Sequence, residues 1–452
     1  MMQSKRQVFD YIEECQDDMV ELLCRLIESK PVNPGVPGQG AEKAAQEVVE
    51  KTFRDYGFPQ VDVWAADPSA SRPNVVGSLL GKGDGQNLIY NGHIDVVPVP
   101  ESQLSQWTVE PWTPTIQDGR IYGRGASDML GGIVAMIWSA KALLDNDIAL
   151  QGTLHVESVV GEESVEGKTI GTASTIDRGY TAPFAVIADT SNCEIQTITC
   201  GTFIFEMIVV GKAIHTCMKN LTMYPQRFGI PQGSDVGVDA ITKSMRYLDA
   251  FEQMEKNWNL RWRHPILGAG GYPIPNDTQG VGIFSITPTL IEGGQFVAAL
   301  AGSCKVTCQV YYPSWVEANE VWSEVKRVIA SVSLTDDWLK DHPPQLKIDQ
   351  SIEGKEPFIP PWGSSEIPVD HPGCQMLAGS WREATSTDAV FSGLKAVDDA
   401  AWFTARGIPA ATLGPGDLSM GAHGSDEYVP ILHLLRCCKT YAAMAINWCG
   451  ID

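Results

Sequence analysis

The sequence predicts an α/β protein with a largely parallel sheet, built in two domains. Short apolar runs typical of buried strands alternate with stretches that carry apolar residues at helical spacing, the pattern of strands joined by crossover helices. At 452 residues the chain exceeds one ordinary core, so we expect two domains. Polar residues that could bind a ligand follow several of the strands, where α/β sheets collect their ligands.

The individual elements follow from the spacing of apolar residues and from glycine and proline breaks. The predicted helices have apolar residues three and four positions apart and cover 7–27, 40–56, 133–144 and 430–448. The predicted strands are short apolar runs and cover 61–64, 74–80, 87–91, 154–160 and 184–188.

The composition disfavours two classes of partner. The chain carries 33 Lys and Arg against 55 Asp and Glu, a formal net charge of −22. Nucleic acid and anionic membranes are bound by a basic face, so we expect neither as a partner. The simplest role of the negative charge is solubility.

The sequence also favours a cytoplasmic protein. Residues 1–20 are acidic and lack the apolar stretch of a signal peptide. We find no uninterrupted apolar run long enough to span a bilayer. The 11 cysteines show neither zinc-knuckle spacing nor a disulfide framework, and we expect them to be reduced, mostly buried thiols.

A His-x-Asp sequence follows the predicted strand at 87–91. His93 and Asp95 are two positions apart on extended chain, so their side chains lie on the same side. Imidazole is a common metal ligand, and a neighbouring carboxylate can hold the ring in its ligating tautomer. By itself, such a pair is more often an ordinary core or surface contact than a metal site.

Further candidate ligands lie downstream. Asp128 lies in a glycine-rich turn that lacks the spacing of a phosphate-binding loop. Glu162 and Glu163 end one predicted strand and Asp189 ends the next, while His423 lies in a glycine-rich loop before the last helix. Adjacent carboxylates point in different directions, so one can bind a metal ion while the other handles a proton. Such groups at three successive strand ends favour a metal site over solvated loops.

With these residues assembled, the chain resembles the di-zinc deacylase and carboxypeptidase family that includes acetylornithine deacetylase, succinyl-diaminopimelate desuccinylase and carboxypeptidase G. The resemblance covers nearly the whole length and implies hydrolysis of an amide-type C–N bond. The matching motifs are, in order, His93-Ile94-Asp95, Gly123-Arg124-Gly125 with Asp128, Glu162-Glu163, Asp189, and His423 with Asp426-Glu427.

The resemblance implies two divalent metal ions. His93 and Asp189 would bind one ion, Glu163 and His423 the other, and Asp128 would bridge them. Oxygen and imidazole ligands suit Zn²⁺, and Mn²⁺ or Co²⁺ would also fit.

Three further residues receive roles in the reaction. Glu162 would act as the general base, and Asp95 would orient His93. His215, in the sequence 211–216, resembles the family's lid histidine, which reaches the partner subunit's site and stabilises the oxyanion. The alternative for His215 is a histidine in a surface loop.

The family fold implied by the resemblance is a zinc-exopeptidase-like catalytic domain with a mostly parallel sheet, plus an inserted ferredoxin-like α+β lid that usually also mediates dimerisation. We assign 1–198 and 353–452 to the catalytic domain and 199–352 to the lid, and we expect a homodimer. The matching lid elements are strands at 203–210, 282–291, 304–311 and 345–348 and helices at 238–251 and 316–329.

The sequence departs from the family after Glu292. There the family has an asparagine and then an arginine that hold the substrate's carbonyl or carboxylate group. Residues 295–301 and 308–310 contain neither, which puts N-acyl amino acids in question as substrates. Asp398 and Asp399 match a family position beside the site, where they either support it or start a helix.

Two segments of the predicted lid are longer than the family leads us to expect, 219–234 and 255–280. The second contains Trp258, Trp262 and Tyr272. It predicts either an aromatic, partly cationic wall of a substrate pocket or an additional dimer contact.

Three functions remain open. The first is a metal-dependent amidohydrolase acting on a small N-acylated molecule. The alternative is a specialised catabolic hydrolase that removes an amine or formyl group from an aromatic or heterocyclic compound, motivated by the absent arginine and the tryptophan-rich segment. A non-catalytic dimeric binding protein is disfavoured, because Glu162 and all five candidate ligands are present.

Overall fold

The structure is a computed structural model that describes residues 2–35, 39–67, 71–164, 166–223, 231–264, 266, 281–282, 284–348 and 362–451. The chain divides into two compact units. The first holds the chain up to Thr199 and again from Ser365, together with Ile266, and the second holds the other described residues from Cys200 to Ser364. The predicted boundary at 198/199 lies one position from the first division, and the predicted boundary at 352/353 lies outside the described residues.

The helices of the described residues are α1 Met2–Glu14, α2 Gln16–Glu28, α3 Lys43–Asp55, α4 Glu101–Leu104, α5 Gly131–Asp145, α6 Thr172–Asp177, α7 Lys219–Met223, α8 Ala240–Arg261, α9 Ala318–Leu334, α10 Pro372–Thr385, α11 Ala400–Thr404 and α12 Ile431–Cys449. The strands are β1 Gln60–Trp64, β2 Asn74–Leu79, β3 Leu88–His93, β4 Thr115–Gln117, β5 Arg120–Tyr122, β6 Leu154–Val159, β7 Ala185–Ile187, β8 Ile195–Thr199, β9 Gly201–Val210, β10 Arg263–His264, β11 Val281–Gly282, β12 Ser285–Gly293, β13 Ser303–Tyr312, β14 Gln345–Ile348, β15 Ser365–Glu366, β16 Phe391–Leu394, β17 Ala410–Thr412 and β18 Tyr428–Pro430.

The first unit is built around one large mixed sheet. Its strands run in the order β1-β2-β6-β3-β7-β17-β8-β15, with β16 beside β8. The central strands β6, β3, β7 and β17 are parallel, and antiparallel pairs flank them. This confirms the prediction of a mixed α/β fold with a mostly parallel central sheet.

Helix α5 is buried on nearly all sides, which explains why its residues are almost all apolar or small. The stretch Ala126–Asp145 that contains it is long and apolar enough to cross a membrane by length and mean composition, although Asp128 and Lys141 interrupt its apolar residues. However, 83% of its apolar window is buried inside the protein. A helix that is apolar all round is the pattern of a core helix as well as of a membrane span.

The second unit is an antiparallel sheet with two long helices. Along the chain it reads β9, α8, β12, β13, α9 and β14, and the strands lie side by side in the order β12-β13-β9-β14. Alternate residues of β13 are buried, because one face of the sheet packs on the helices. Strand β12 has one neighbour in this order, so its other edge has no partner strand among the described residues.

The first predicted helix, 7–27, is wrong as a single element. The structure divides it into α1 and α2 at Cys15, whose φ of −93° and ψ of 17° are not helical. Asp17 and Asp18 then occupy the first turn of α2, where carboxylates favour the positive end of a helix. Both helices contribute apolar residues to the same core, so the apolar spacing continues across Cys15. The spacing alone therefore did not reveal the break.

Candidate metal centre

The five candidate ligands all belong to the first unit. His93 is the last residue of β3, Glu163 follows β6, and Asp189 follows β7. These three strands are parallel neighbours, so their carboxyl ends meet at one edge of the sheet. Asp128 lies in the irregular turn before α5, and His423 lies in the loop between β17 and β18.

The structure brings these side chains into two groups that share Asp128. In the first group, Nε2 of His93 lies 3.4 Å from Oδ1 of Asp128 and 3.9 Å from Oδ2 of Asp189. In the second, Nε2 of His423 lies 3.5 Å from Oδ2 of Asp128 and 3.2 Å from Oε2 of Glu163. Within each group, one potential ligand atom per residue lies within 4.8 Å of the others. Asp128 therefore presents one oxygen to each group.

The chemistry of this donor set fits two divalent cations. Four carboxylates, those of Asp128, Glu162, Glu163 and Asp189, face only two imidazoles. Burial raises the pKa of Glu162 well above its usual range and raises that of Glu163, because both carboxylates are removed from water. Oε1 of Glu163 is buried and has no hydrogen-bond partner among the described residues. Cations bound here would neutralise the excess negative charge.

The ring of His93 is held in the orientation that a ligand needs. Its Nδ1 lies 2.9 Å from the backbone carbonyl of Asp95, to which an Nδ1–H can donate. That tautomer leaves Nε2 unprotonated and facing Asp128 and Asp189. The carboxylate of Asp95 lies 3.8 Å from Nδ1, so the closer contact to the ring is made by the carbonyl.

The carboxylate of Asp95 instead holds the turn that carries Glu162. The backbone N–H groups of Glu162 and Glu163 donate to its two oxygens, at 3.3 and 3.0 Å. The side chain of Asn33 donates to it at 2.8 Å. Oε2 of Glu162 lies 4.0 Å from Nε2 of His93, beside the first ligand group. Asp95 therefore positions the candidate base as well as the imidazole.

Glu427 is a site residue whose role the sequence did not reveal. Its carboxylate is buried and accepts hydrogen bonds from the backbone N–H groups of Gly125, Ser127 and Asp128, at 2.9, 3.0 and 3.0 Å. Nη1 of Arg124 donates to it at 2.6 Å. The motif match included Glu427, but the match assigned it no role. It fixes the backbone of the turn that presents Asp128.

Arg124 connects the turn that carries Asp128 with the loop that carries His423. Its Nη2 donates to the carbonyl of Gly424 at 2.7 Å, next to His423. The guanidinium and the Glu427 carboxylate are both buried, so this is an ion pair shielded from water. The turn of Asp128 and the loop of His423 are therefore joined through one ion pair.

Asp398 and Asp399 play different parts. Asp398 accepts from the backbone N–H of Ala400 at 3.0 Å, as a residue at a helix start does. Asp399 accepts from the hydroxyl of Thr172 at 2.8 Å, and burial raises its pKa to about 7.

His215 belongs to the second unit. It follows β9 in an exposed position, and its Nδ1 accepts from the backbone N–H of Cys217 at 3.2 Å. The five candidate ligands belong to the first unit, so their arrangement does not test the predicted role of His215.

The two longer segments are described only in part. Of 219–234 and 255–280, residues 224–230, 265 and 267–280 lie outside the described residues, and Tyr272 is among them. Trp258 is buried and packs on Phe284 and Trp262 in the core of the second unit. That position argues against Trp258 as part of an exposed pocket wall.

Comparison with known proteins identifies the family. The profile of peptidase family M20/M25/M40 matches residues 89–447. The chain is 30% identical, over 98% of its length and 97% of the relative's, to the N-formyl-4-amino-5-aminomethyl-2-methylpyrimidine deformylase of Halalkalibacterium halodurans.

Solved structures agree in fold. The dipeptidase Dug1p of Saccharomyces cerevisiae superimposes with a TM-score of 0.74 at 14% identity over 99% of both chains. Bacillus subtilis YxeP, a dinuclear metal-binding peptidase of the M20 family, superimposes with a TM-score of 0.60 at 12% identity, over 96% of this chain and 98% of that one. The family match, the whole-length relative and the paired ligand groups agree, and the chain belongs to peptidase family M20/M25/M40 as a metal-dependent hydrolase of amide-type C–N bonds.

Proposed function

We propose that the protein hydrolyses the N-formyl amide of an aminomethyl-substituted nitrogen heterocycle, releasing formate and the free amine. The observation that carries this proposal is the whole-length similarity to a deformylase whose named substrate is a formylated aminopyrimidine. The departure after Glu292 supports it, because residues 295–301 and 308–310 lack the asparagine and arginine that hold an amino acid substrate in related enzymes. A formylated heterocyclic amine carries no such carboxylate.

We assign the metal ligands as the two groups described above. His93, Asp128 and Asp189 would hold one ion, and Asp128, Glu163 and His423 the other. Zn²⁺ is the ion we expect, because imidazole and carboxylate together suit it, with Mn²⁺ or Co²⁺ as substitutes. Two cations at this site would polarise the amide carbonyl and acidify the attacking water.

Within this scheme, Glu162 accepts a proton from the water that attacks the formyl carbon. The carbon–nitrogen bond then breaks, and Glu162 returns the proton to the departing amine nitrogen, so that one water is consumed for each amide cleaved. Burial raises the pKa of Glu162, which suits a group that first takes and then gives a proton. The hydrogen bonds from the Glu162–Glu163 turn to Asp95 keep this carboxylate in position.

We further propose that the second unit is the lid and dimerisation domain that the family resemblance implies. Its order of strands and helices is that of a ferredoxin-like βαββαβ unit. His215 would then donate to the oxyanion in the partner's site. The edge strand β12 and the turn after it expose Leu290, Ile291, Phe296 and Val297, which favours burial of this edge against a second copy.

The test combines a substrate panel with substitution of the base. Purified protein containing zinc is assayed on N-formylated aminomethylpyrimidine, on N-formylbenzylamine and on N-acetyl and N-succinyl amino acids, and metal is counted per chain. We expect the formylated pyrimidine to give the highest kcat/KM. Glu162→Gln should lower kcat by about 10²–10⁴-fold while retaining the metal.

The exposed Glu101→Gln is the matched control and should leave kcat unchanged. Faster turnover of an acyl amino acid would overturn the proposed substrate but keep the reaction class. Full activity of Glu162→Gln would overturn its assignment as the base.

A further inference from the structure

A cavity of about 390 Å³ lies in the first unit, and its lining includes Thr190, the residue after the candidate ligand Asp189. Its size is in the range of small-molecule sites. Its apolar lining includes Leu394 and Leu418, and the polar residues that line it are Thr190, Ser191, Glu194, Gln196, Lys395, Asp417 and Ser419.

The walls of this cavity are bonded to the segments that carry metal ligands. Thr190 follows Asp189, and its backbone N–H donates to the Asp189 carboxylate at 2.6 Å. The hydroxyls of Thr190 and Ser127 lie 3.4 Å apart, and Ser127 precedes Asp128. The backbone N–H of Asp417 donates to the Ser127 hydroxyl at 3.0 Å. The cavity wall is therefore bonded to the two segments that carry Asp128 and Asp189.

Gln196 gives the cavity a recognition group. Its side chain is only 7% exposed, and its Oε1 is buried without a hydrogen-bond partner among the described residues. A buried polar atom of this kind is uncommon in native proteins and needs an explanation. Gln196 lies in strand β8, where its backbone pairs with Ser392 and Thr412. Its side chain therefore extends from a backbone that the sheet holds in place. Because Oε1 is closed to water and Gln196 lines the cavity, a ligand that donates a hydrogen bond would satisfy this oxygen once the side-chain amide turns about its last bond.

The side-chain amide matches one edge of an aminopyrimidine. A glutamine amide offers an acceptor and a donor side by side, which pairs with an amino group next to a ring nitrogen, as in recognition of adenine by glutamine. Glu194 adds a second acceptor, and Leu394 and Leu418 provide apolar surface for a flat ring. The lining carries two carboxylates, Glu194 and Asp417, against one ammonium, Lys395, and this excess negative charge disfavours a substrate carboxylate.

We propose that this cavity binds the heteroaromatic amine half of the substrate, and that Gln196 recognises an amino group adjacent to a ring nitrogen. The inference rests on the proposed function, because it assigns a binding site to the leaving amine of that reaction.

The test measures binding of the amine product, which does not depend on turnover. Zinc-loaded protein is titrated calorimetrically with 4-amino-5-aminomethyl-2-methylpyrimidine and with benzylamine, which lacks the amino group and ring nitrogens. The variants are Gln196→Leu and Gln196→Met, which remove the amide while Met keeps the length of the side chain, and Gln375→Leu, a control at an exposed glutamine of α10. We expect the preference for the pyrimidine over benzylamine to fall at least about tenfold in both Gln196 variants and to stay unchanged in the control.

An unchanged preference in folded Gln196→Met, or no binding of the pyrimidine by the wild type, would overturn the assignment of the cavity. If the wild type binds the pyrimidine through Gln196 but does not hydrolyse its N-formyl derivative, the cavity assignment stands and the proposed reaction fails. If it hydrolyses that derivative while the preference does not depend on Gln196, the reaction stands and the cavity assignment fails.

Discussion

At the scale of single residues, the ion pair of Arg124 and Glu427 links two segments of the candidate metal centre. It is buried and joins the turn of Asp128 to the loop of His423. Because neither partner can be solvated when the other is removed, the pair matters mainly through the cost of breaking it. Residues that hold a ligand in place commonly tune metal affinity as well.

We predict that Glu427→Gln lowers the free energy of unfolding by about 3–5 kcal/mol, because it leaves the Arg124 charge buried without a partner. Affinity for zinc should fall about 10–100-fold as the Asp128 turn loosens. Urea unfolding and chelator competition measure the two effects. The control is Asp388→Asn, which removes an exposed partner of Arg382 and should cost less than about 1 kcal/mol. Equal effects of the two substitutions would contradict this role of Glu427.

Glu157 makes stability depend on pH. It is fully buried in β6, where Asn91 and Thr175 donate to one of its oxygens, and burial raises its pKa to about 8. An unfolded glutamate ionises near pH ~4.3. Between these values the folded protein holds a proton that the unfolded chain has lost. Stability therefore falls as pH rises through this window, by up to about 1.4 kcal/mol per unit.

We predict that Glu157→Gln flattens this dependence, because the amide cannot ionise and still offers an oxygen to Asn91 and Thr175. Urea midpoints of the wild type and the variant between pH 5.5 and about 8 measure the slope, and the difference should grow in favour of the variant as pH rises. Parallel curves would show that Glu157 is ionised in the folded state.

At the scale of elements, the edge strand β12 and the turn after it expose apolar side chains that could contact another chain. Leu290 and Ile291 are 62% and 58% exposed, and Phe296 and Val297 are 68% and 93% exposed. An unpaired strand edge with apolar side chains invites pairing with another chain.

We predict that Ile291→Lys weakens the dimer, because it places a charge in the contact that this edge would make. Light scattering after size exclusion measures the mass per particle. On dilution, we expect the variant to fall from two chains per particle towards one at a higher protein concentration than the wild type. Leu334→Lys is the control, since Leu334 is 77% exposed at the end of α9, away from β12. A wild-type protein that is monomeric at all concentrations would contradict the proposed dimer.

At the scale of the whole molecule, part of the negative charge is concentrated at the candidate metal centre. The chain carries a net −22, and four of its carboxylates converge with two imidazoles at one sheet edge. Bound cations would offset this local repulsion and stabilise the folded first unit by mass action.

We predict that removing the metal with a chelator lowers the unfolding midpoint of the first unit by several degrees and that zinc restores it. Calorimetry of chelated and reloaded protein measures the change. His423→Ala, which removes one imidazole ligand, should reduce the gain on reloading. Identical midpoints with and without metal would contradict the proposed centre.

The sequence by itself determined most of the elements and the identity of the candidate ligands. Strands and helices follow local periodicity, and strand ends can be read because a short apolar run ends at polar residues such as His93 or Asp189. The alternation of elements was sufficient to predict the mostly parallel sheet. These features depend on neighbours a few positions apart, which is why they could be predicted from one chain.

Only the tertiary structure decided how distant residues combine. It pairs Glu427 with the turn of Asp128 across about 300 positions, divides the first predicted helix at Cys15, and places Gln196 in the wall of a cavity with Thr190, the residue after Asp189. Each of these depends on which surfaces pack together and on which buried polar groups find partners. That choice is made by burial and hydrogen bonding over the whole fold, and it leaves no local pattern in the sequence.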